Sequence, residues 1–114
     1  MTALAFAQGV YYLVSGAWAL VHIESFMRVT GPKHDVWLVK TVGGMLVAIG
    51  VGLILAAWNR EFDSAVIVIA AGSAATLLAI ELVYVAEGVI SRIYLADAAV
   101  ETAFLACWAA GLWA

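Results

Sequence analysis

Charge is what this sequence has least of: 11% of its 114 residues are charged against 67% hydrophobic, and the mean hydropathy is +1.09. A soluble domain is near a quarter charged and about half apolar. A globule this small needs polar surface to cover itself, and the residues for it are not here. The shortage excludes the soluble class and leaves a membrane protein. Lysine and arginine total five and form no run. Nucleic-acid binding therefore has no electrostatic footprint, and no polybasic lipid-binding tail is present.

The single cysteine, Cys107, lies in an apolar stretch with no CxxC or Cys/His spacing around it. It reads as a small packing residue. No metal-site spacing is convincing: His22 and Glu24 lie about 200° apart on a helix, and His34 falls in a loop beside Asp35. Gly43-Gly44 sits inside an apolar helix rather than in a nucleotide-binding loop. No metal and no cofactor is expected. No positively charged stretch precedes the first apolar segment, so it reads as a retained helix rather than a signal peptide.

What is there is apolar length. Four runs, about 3–23, 36–58, 65–86 and 91–114, each approach the ~20 residues needed to cross a bilayer. The joints are short, which makes sequential helices antiparallel neighbours. The expected fold is all-α: a single domain over 1–114, a four-transmembrane-helix up-down bundle. Arg28, Lys33 and Arg92 occupy the first and third joints, with Lys40 just inside, while Arg60 stands alone on the other side. That asymmetry predicts cytoplasmic first and third loops and both termini outside. Trp37, Tyr84 and Tyr94 then fall near one interface, and Trp58 and Trp113 near the other.

Small residues recur every four positions on the second run (Gly44, Ala48, Gly52, Ala56) and on the fourth (Ala99, Ala103, Cys107, Gly111). Gly9 and Gly16 are seven apart on the first. Small residues let helices approach closely in lipid, so these rows are expected to be packing seams within one bundle or between copies. Four short helices bury little area each, so a homo-oligomer or a larger membrane complex is expected.

Gln8, Tyr11, Ser15, Trp18 and His22 form one polar face of the first helix, with Tyr12 outside it. Tyr94, Asp97, Glu101, Phe104 and Trp108 form a matching stripe on the fourth, and the third pairs Glu81 with Tyr84. At ~1.5 Å per residue, Lys40, Glu81 and Asp97 fall at one level, roughly 7–9 Å from the same side, with Glu101 deeper at roughly 13 Å. Ionisable groups in lipid cost several kcal/mol, so they should face inward and pair. One lysine cannot balance three acids. Either His22 or Arg28 joins them, a carboxyl is neutral (Glu101, the deepest, first), or a ligand cation binds.

The runs Tyr11–Trp18 through His22, Val29–Lys33, Trp37–Thr41 and Ile90–Ala98 carry a resemblance. The chain is similar to a group of small uncharacterised bacterial four-helix integral membrane proteins, and more loosely to the DoxX-like proteins. The resemblance implies architecture and bacterial origin, hence the inner membrane, and no activity. Small multidrug-resistance transporters have similar length, but their acid lies in the core of the first helix, and Val10–Leu20 has none.

Three functions stay open. The first is binding or transport of protons or a small cationic or amphipathic molecule at Lys40, Glu81, Asp97, Glu101, His22, Tyr84, Tyr94 and Trp18, whose aromatic faces attract cations. The second is an intramembrane enzyme using His22, Glu81, Asp97 or Glu101 as acid and base on a lipid-like substrate. The third is an accessory subunit in which the charges are structural.

Overall fold

A computed structural model describes residues 1–113, with side chains as far as residue 111. Ala114, the expected end of the fourth run, and the side chain of Trp113 lie outside the described residues. The chain forms α1 (Thr2–Val21), α2 (Ile23–Thr30), α3 (Val36–Asn59), α4 (Ser64–Ala86) and α5 (Tyr94–Trp113), with no strand among the described residues. Helices α1, α3 and α4 are long and apolar enough to cross a membrane. The surface agrees with that environment. Val14, Met45, Leu55, Val68 and Ile69 are each more than half exposed, while Gln8, Glu81 and Glu101 are buried.

A helix in lipid must satisfy its own backbone. Thr41, Thr76 and Thr102 also satisfy their side chains locally, each hydroxyl donating 2.8 Å to the carbonyl four residues back. They can therefore stand among apolar residues at little cost. Pro32, the single proline, lies in the joint before α3 rather than inside a helix.

That first joint differs from the expected plain loop. The first helix stops at Val21, and His22 leaves helical geometry (φ −140°) to cap α2, its side chain accepting from the Ser25 amide at 3.2 Å. Helix α2 is amphipathic, with Ile23, Phe26 and Met27 partly buried against Glu24 and Arg28 exposed. It ends at Gly31, whose φ of +101° few side chains tolerate.

Helix α3 runs back along α1 through glycines. The Gly9 backbone meets the Gly50 carbonyl so closely that a Cβ on Gly9 would stand 2.8 Å from it, and a Cβ on Gly50 would stand 2.6 Å from the Gly9 carbonyl. Gly16 faces Gly43 in the same way one repeat further on. Close approach of this kind is what holds helices together where lipid removes the hydrophobic drive. The expected seam through Gly44 and Gly52 is not this contact: each has open space around it. Ala99, Ala103 and Cys107 of α5 are likewise exposed rather than packed inside the bundle. Both rows have the right spacing, but Ala48 and Gly52 and Ala99, Ala103 and Cys107 lie on outer faces, while Ala56 is buried and Gly111 is part-buried beside Met1.

Helix α5 returns along α4, and its inner face meets α1. At the end of the molecule where the chain starts, Ala5, Leu53, Ala57, Ala70 and Trp108 form a close-packed cluster. Toward the α2 end the helices part. Although consecutive, α3 and α4 touch far less than α1 and α3 or α4 and α5 do.

Candidate functional site

Three tiers of polar side chains run along the inside of α1. The first is closed. Trp108 Nε1 donates to Gln8 Oε1 at 2.6 Å, and Gln8 Nε2 donates to the Ala70 carbonyl at 2.9 Å. Both side chains are fully buried, and each polar group in the chain of bonds has its partner, as a dry interior requires.

One turn along, the Tyr12 hydroxyl donates to Glu101 Oε2 at 2.7 Å. Glu101 is fully buried, and its other oxygen, Oε1, has no partner. The Tyr11 hydroxyl donates to Asp97. Glu81 is 4% exposed with its Oε1 unpartnered, and it lines the same space as Asp97. Phe104 stands edge-on to Tyr11 and Tyr12, with ring centroids 5.8 and 6.4 Å away, and fixes both rings.

These groups face a cavity of about 400 Å³. Its polar floor is Tyr11, Tyr12, Ser15, Glu81, Asp97 and Glu101, and its walls are aliphatic side chains of α3 and α4. The α2 end is roofed. Trp18 and Phe26 stack edge to face at 5.2 Å, and Trp18 Nε1 donates to Ser25 Oγ at 2.8 Å. Lys33 Nζ donates to the carbonyls of Thr30 (3.1 Å) and Gly31 (3.0 Å) and sits 5.2 Å from the centre of the Tyr94 ring.

Of the eight residues expected at the site, Glu81, Asp97, Glu101, Tyr94 and Trp18 line this one space. Lys40, His22 and Tyr84 lie outside its lining. Lys40 is exposed on the outer side of α3, because counting residues fixes depth along a helix but not direction around it. His22 is exposed and engaged as the cap of α2. Tyr84 is 38% exposed, almost one turn beyond Glu81 toward the end of α4, and does not line the cavity.

The expected layer of Lys40, Glu81 and Asp97 is therefore a carboxyl pair with a tyrosine. The cation lining the cavity is Lys33, and it is held at the roof. Reading the sequence missed Lys33 and Tyr12. Tyr12 fell off the polar face because α1 meets α3 through one side and α5 through another, so its buried arc is wider than one stripe.

A grouping of three carboxyls in a low-dielectric space is not stable fully ionised. Hydrogen-bonded phenols and an unpartnered oxygen on each of two buried carboxyls make it an acceptor for N–H or O–H donors. No group of three or more metal-ligating side chains is found among the described residues.

Comparison with known proteins returns no matching family model, no curated relative and no similar solved structure.

Proposed function

We propose that the chain is a four-span protein of the bacterial inner membrane, with α5 as the fourth span, that binds or transports a small amphipathic cation at the acid-lined cavity in exchange for protons. The termini lie outside and α2 lies at the cytoplasmic face, following the asymmetry of lysine and arginine. This is the architecture implied by the resemblance to small bacterial four-helix membrane proteins.

One observation carries the reading. Glu81 and Glu101 are each buried with an unpartnered Oε1, and both line a cavity of about 400 Å³. A purely structural carboxyl has its oxygens satisfied, because an unmet buried acceptor costs about 1–3 kcal/mol or more when charged. The volume falls in the ~300–1,000 Å³ range of small-molecule sites. A primary ammonium supplies the missing charge and N–H donors to the acid-lined floor, and the rings of Tyr11, Tyr94 and Trp18 suit its apolar body.

The test is calorimetry with 2-phenylethylammonium on protein in nanodiscs. The wild type should bind it with release of protons, and the Glu81→Gln/Glu101→Gln double variant should bind about tenfold more weakly or worse. Equal heats from the two proteins would end this reading.

Assembly is a second proposal with its own support. The exposed row Ala99, Ala103 and Cys107 on α5, and the open space at Gly44 and Gly52 on α3, are surfaces onto which a second copy or another membrane subunit can pack closely. The enzyme reading has lost its histidine, since His22 is the cap of α2.

A further inference from the structure

We infer that the occupant reaches the cavity from within the lipid, between α3 and α4, and is a single-chain amphiphile: its ammonium head meets Glu81 and Glu101 while its alkyl tail lies in the slot formed by Val42, Leu46, Leu77 and Ile80. This rests on the acid-lined cavity as a cation site and adds the route and the ligand class.

The route from the aqueous end is built over. Trp18 and Phe26 stand over it as an edge-to-face pair, less exposed (Trp18 36%) than Leu38, Val42 and Ile80 of α3 and α4, and Ser25 ties Trp18 in place. Beside them Lys33 is fixed by two backbone carbonyls and the Tyr94 ring. A cation arriving there meets a fixed cation. Among the described residues of α3 and α4 that line the cavity, none is a cation.

The other side opens between helices. Leu38 and Val42 of α3 and Ile80 of α4 line the cavity and are also 45%, 50% and 49% exposed. The same side chains thus face both the interior and the surroundings. Val42 lies six residues inside α3, which begins at Val36, and Ile80 lies six before the end of α4 at Ala86. Both are ~9 Å from the helix ends. At that depth in a hydrocarbon core of ~30 Å the surroundings are acyl chains, not water. The slot exists because α3 is drawn onto α1 by the glycine contacts at Gly9 and Gly16 and α4 packs on α5, which leaves α3 and α4 apart.

The slot and the floor select opposite ends of one molecule. The walls offer an alkyl chain only contact with other aliphatic groups. The floor offers acceptors and negative charge, which reject a fatty acid or a sulfate head. A volume near 400 Å³ is at the small end of ligand sites, enough for one chain and a compact head rather than a two-chain lipid.

The experiment compares decylammonium with 2-phenylethylammonium, and with decanoate as the anionic control, on protein in nanodiscs with empty nanodiscs subtracted. Decylammonium should bind about tenfold or more tightly than 2-phenylethylammonium, and decanoate should not bind. Leu77→Trp fills the slot from inside. It should lower decylammonium affinity about tenfold or more and change 2-phenylethylammonium about twofold or less. Equal binding of decylammonium to wild type and Leu77→Trp overturns the lipid route and leaves the acid site standing. Failure of both amines to bind wild type, or undiminished binding to Glu81→Gln/Glu101→Gln, overturns the acid site itself.

A second measurement needs no variant. Decylamine carrying a terminal diazirine, photolysed on the wild type, should label peptides containing Val42, Leu46, Leu77 or Ile80. Label on Trp18 or Phe26 would put the tail at the aqueous roof and overturn the proposal.

Discussion

The two ends of the bundle handle buried polarity in opposite ways. At the end where the chain starts, Gln8 and Trp108 are fully buried and consume each other's hydrogen-bonding capacity together with the Ala70 carbonyl. Around them Ala5, Leu53, Ala57 and Ala70 form a buried cluster with Trp108. Two turns away Glu81 and Glu101 are also buried, yet each keeps an oxygen without a partner, and both residues line the cavity. Polar residues thus satisfy one another at one end and keep unmet acceptors at the other. What separates them is not polarity or depth but whether the partners come from the chain itself. Changes at the closed end should cost folding, and changes at the open end should cost binding.

The largest effect should come from the contact that draws the halves together. In Gly50→Leu a branched side chain would meet the Gly9 carbonyl and the Leu13 backbone. Neither can yield, and folded protein should be lost on detergent extraction, as judged by size-exclusion chromatography. Gly52→Leu, two residues on and facing open space, should keep the monomer folded and change only assembly. Equal behaviour of the two would mean that the α1–α3 contact is not what holds this bundle.

At the closed end, Trp108→Ala should cost about 3–5 kcal/mol, because it removes a fully buried ring and strands Gln8. Gln8→Leu should cost about 1–3 kcal/mol, the penalty for leaving the indole N–H unmet. Thermal unfolding in detergent measures both. Glu101→Gln at the open end should fall well below either, since an amide still accepts from Tyr12 and adds donors toward the cavity. A destabilisation by Glu101→Gln as large as that of Trp108→Ala would erase the contrast between the ends.

The sequence carried some of this contrast and hid the rest. The apolar runs, the inward acids of α4 and α5 and the polar face of α1 are periodic features, and the period is a property of the helix alone. The partner of each face is not. Gly43 and Gly44 are neighbours about 100° apart, and the spacing of Gly44 and Gly52 is as regular as that of Gly9 and Gly16. Only the docked helix distinguishes the inner glycines from the outer. Tyr12 was hidden for the same reason, since α1 is contacted on two sides. Helix α2 left a clearer trace: Ile23, Phe26 and Met27 recur at helical spacing opposite Glu24 and Arg28. Charges in a short joint nonetheless read more simply as a solvated loop.

The smallest expected effect concerns Lys40, where depth alone predicted a severe one. With Glu81 and Asp97 at the same level, Lys40 looked like the cation that balances them, and Lys40→Met would then strand two buried acids. The side chain is exposed on α3 and does not line the cavity. A lysine so placed extends its methylenes along the helix and carries its ammonium toward the interface. Its removal therefore leaves the acids as they were. Lys40→Met should change stability by about 0.5 kcal/mol or less, the usual range for a surface substitution, and should leave 2-phenylethylammonium binding unaltered. Lys33→Met is the matched control on the residue that does reach the cavity. Removing a fixed positive charge from the roof lowers the repulsion on any bound cation, so its affinity for 2-phenylethylammonium should rise. If Lys40→Met instead collapses the protein while Lys33→Met is silent, the charge balance of the site runs through α3, and the open end is a structural ion-pair network rather than a receptor.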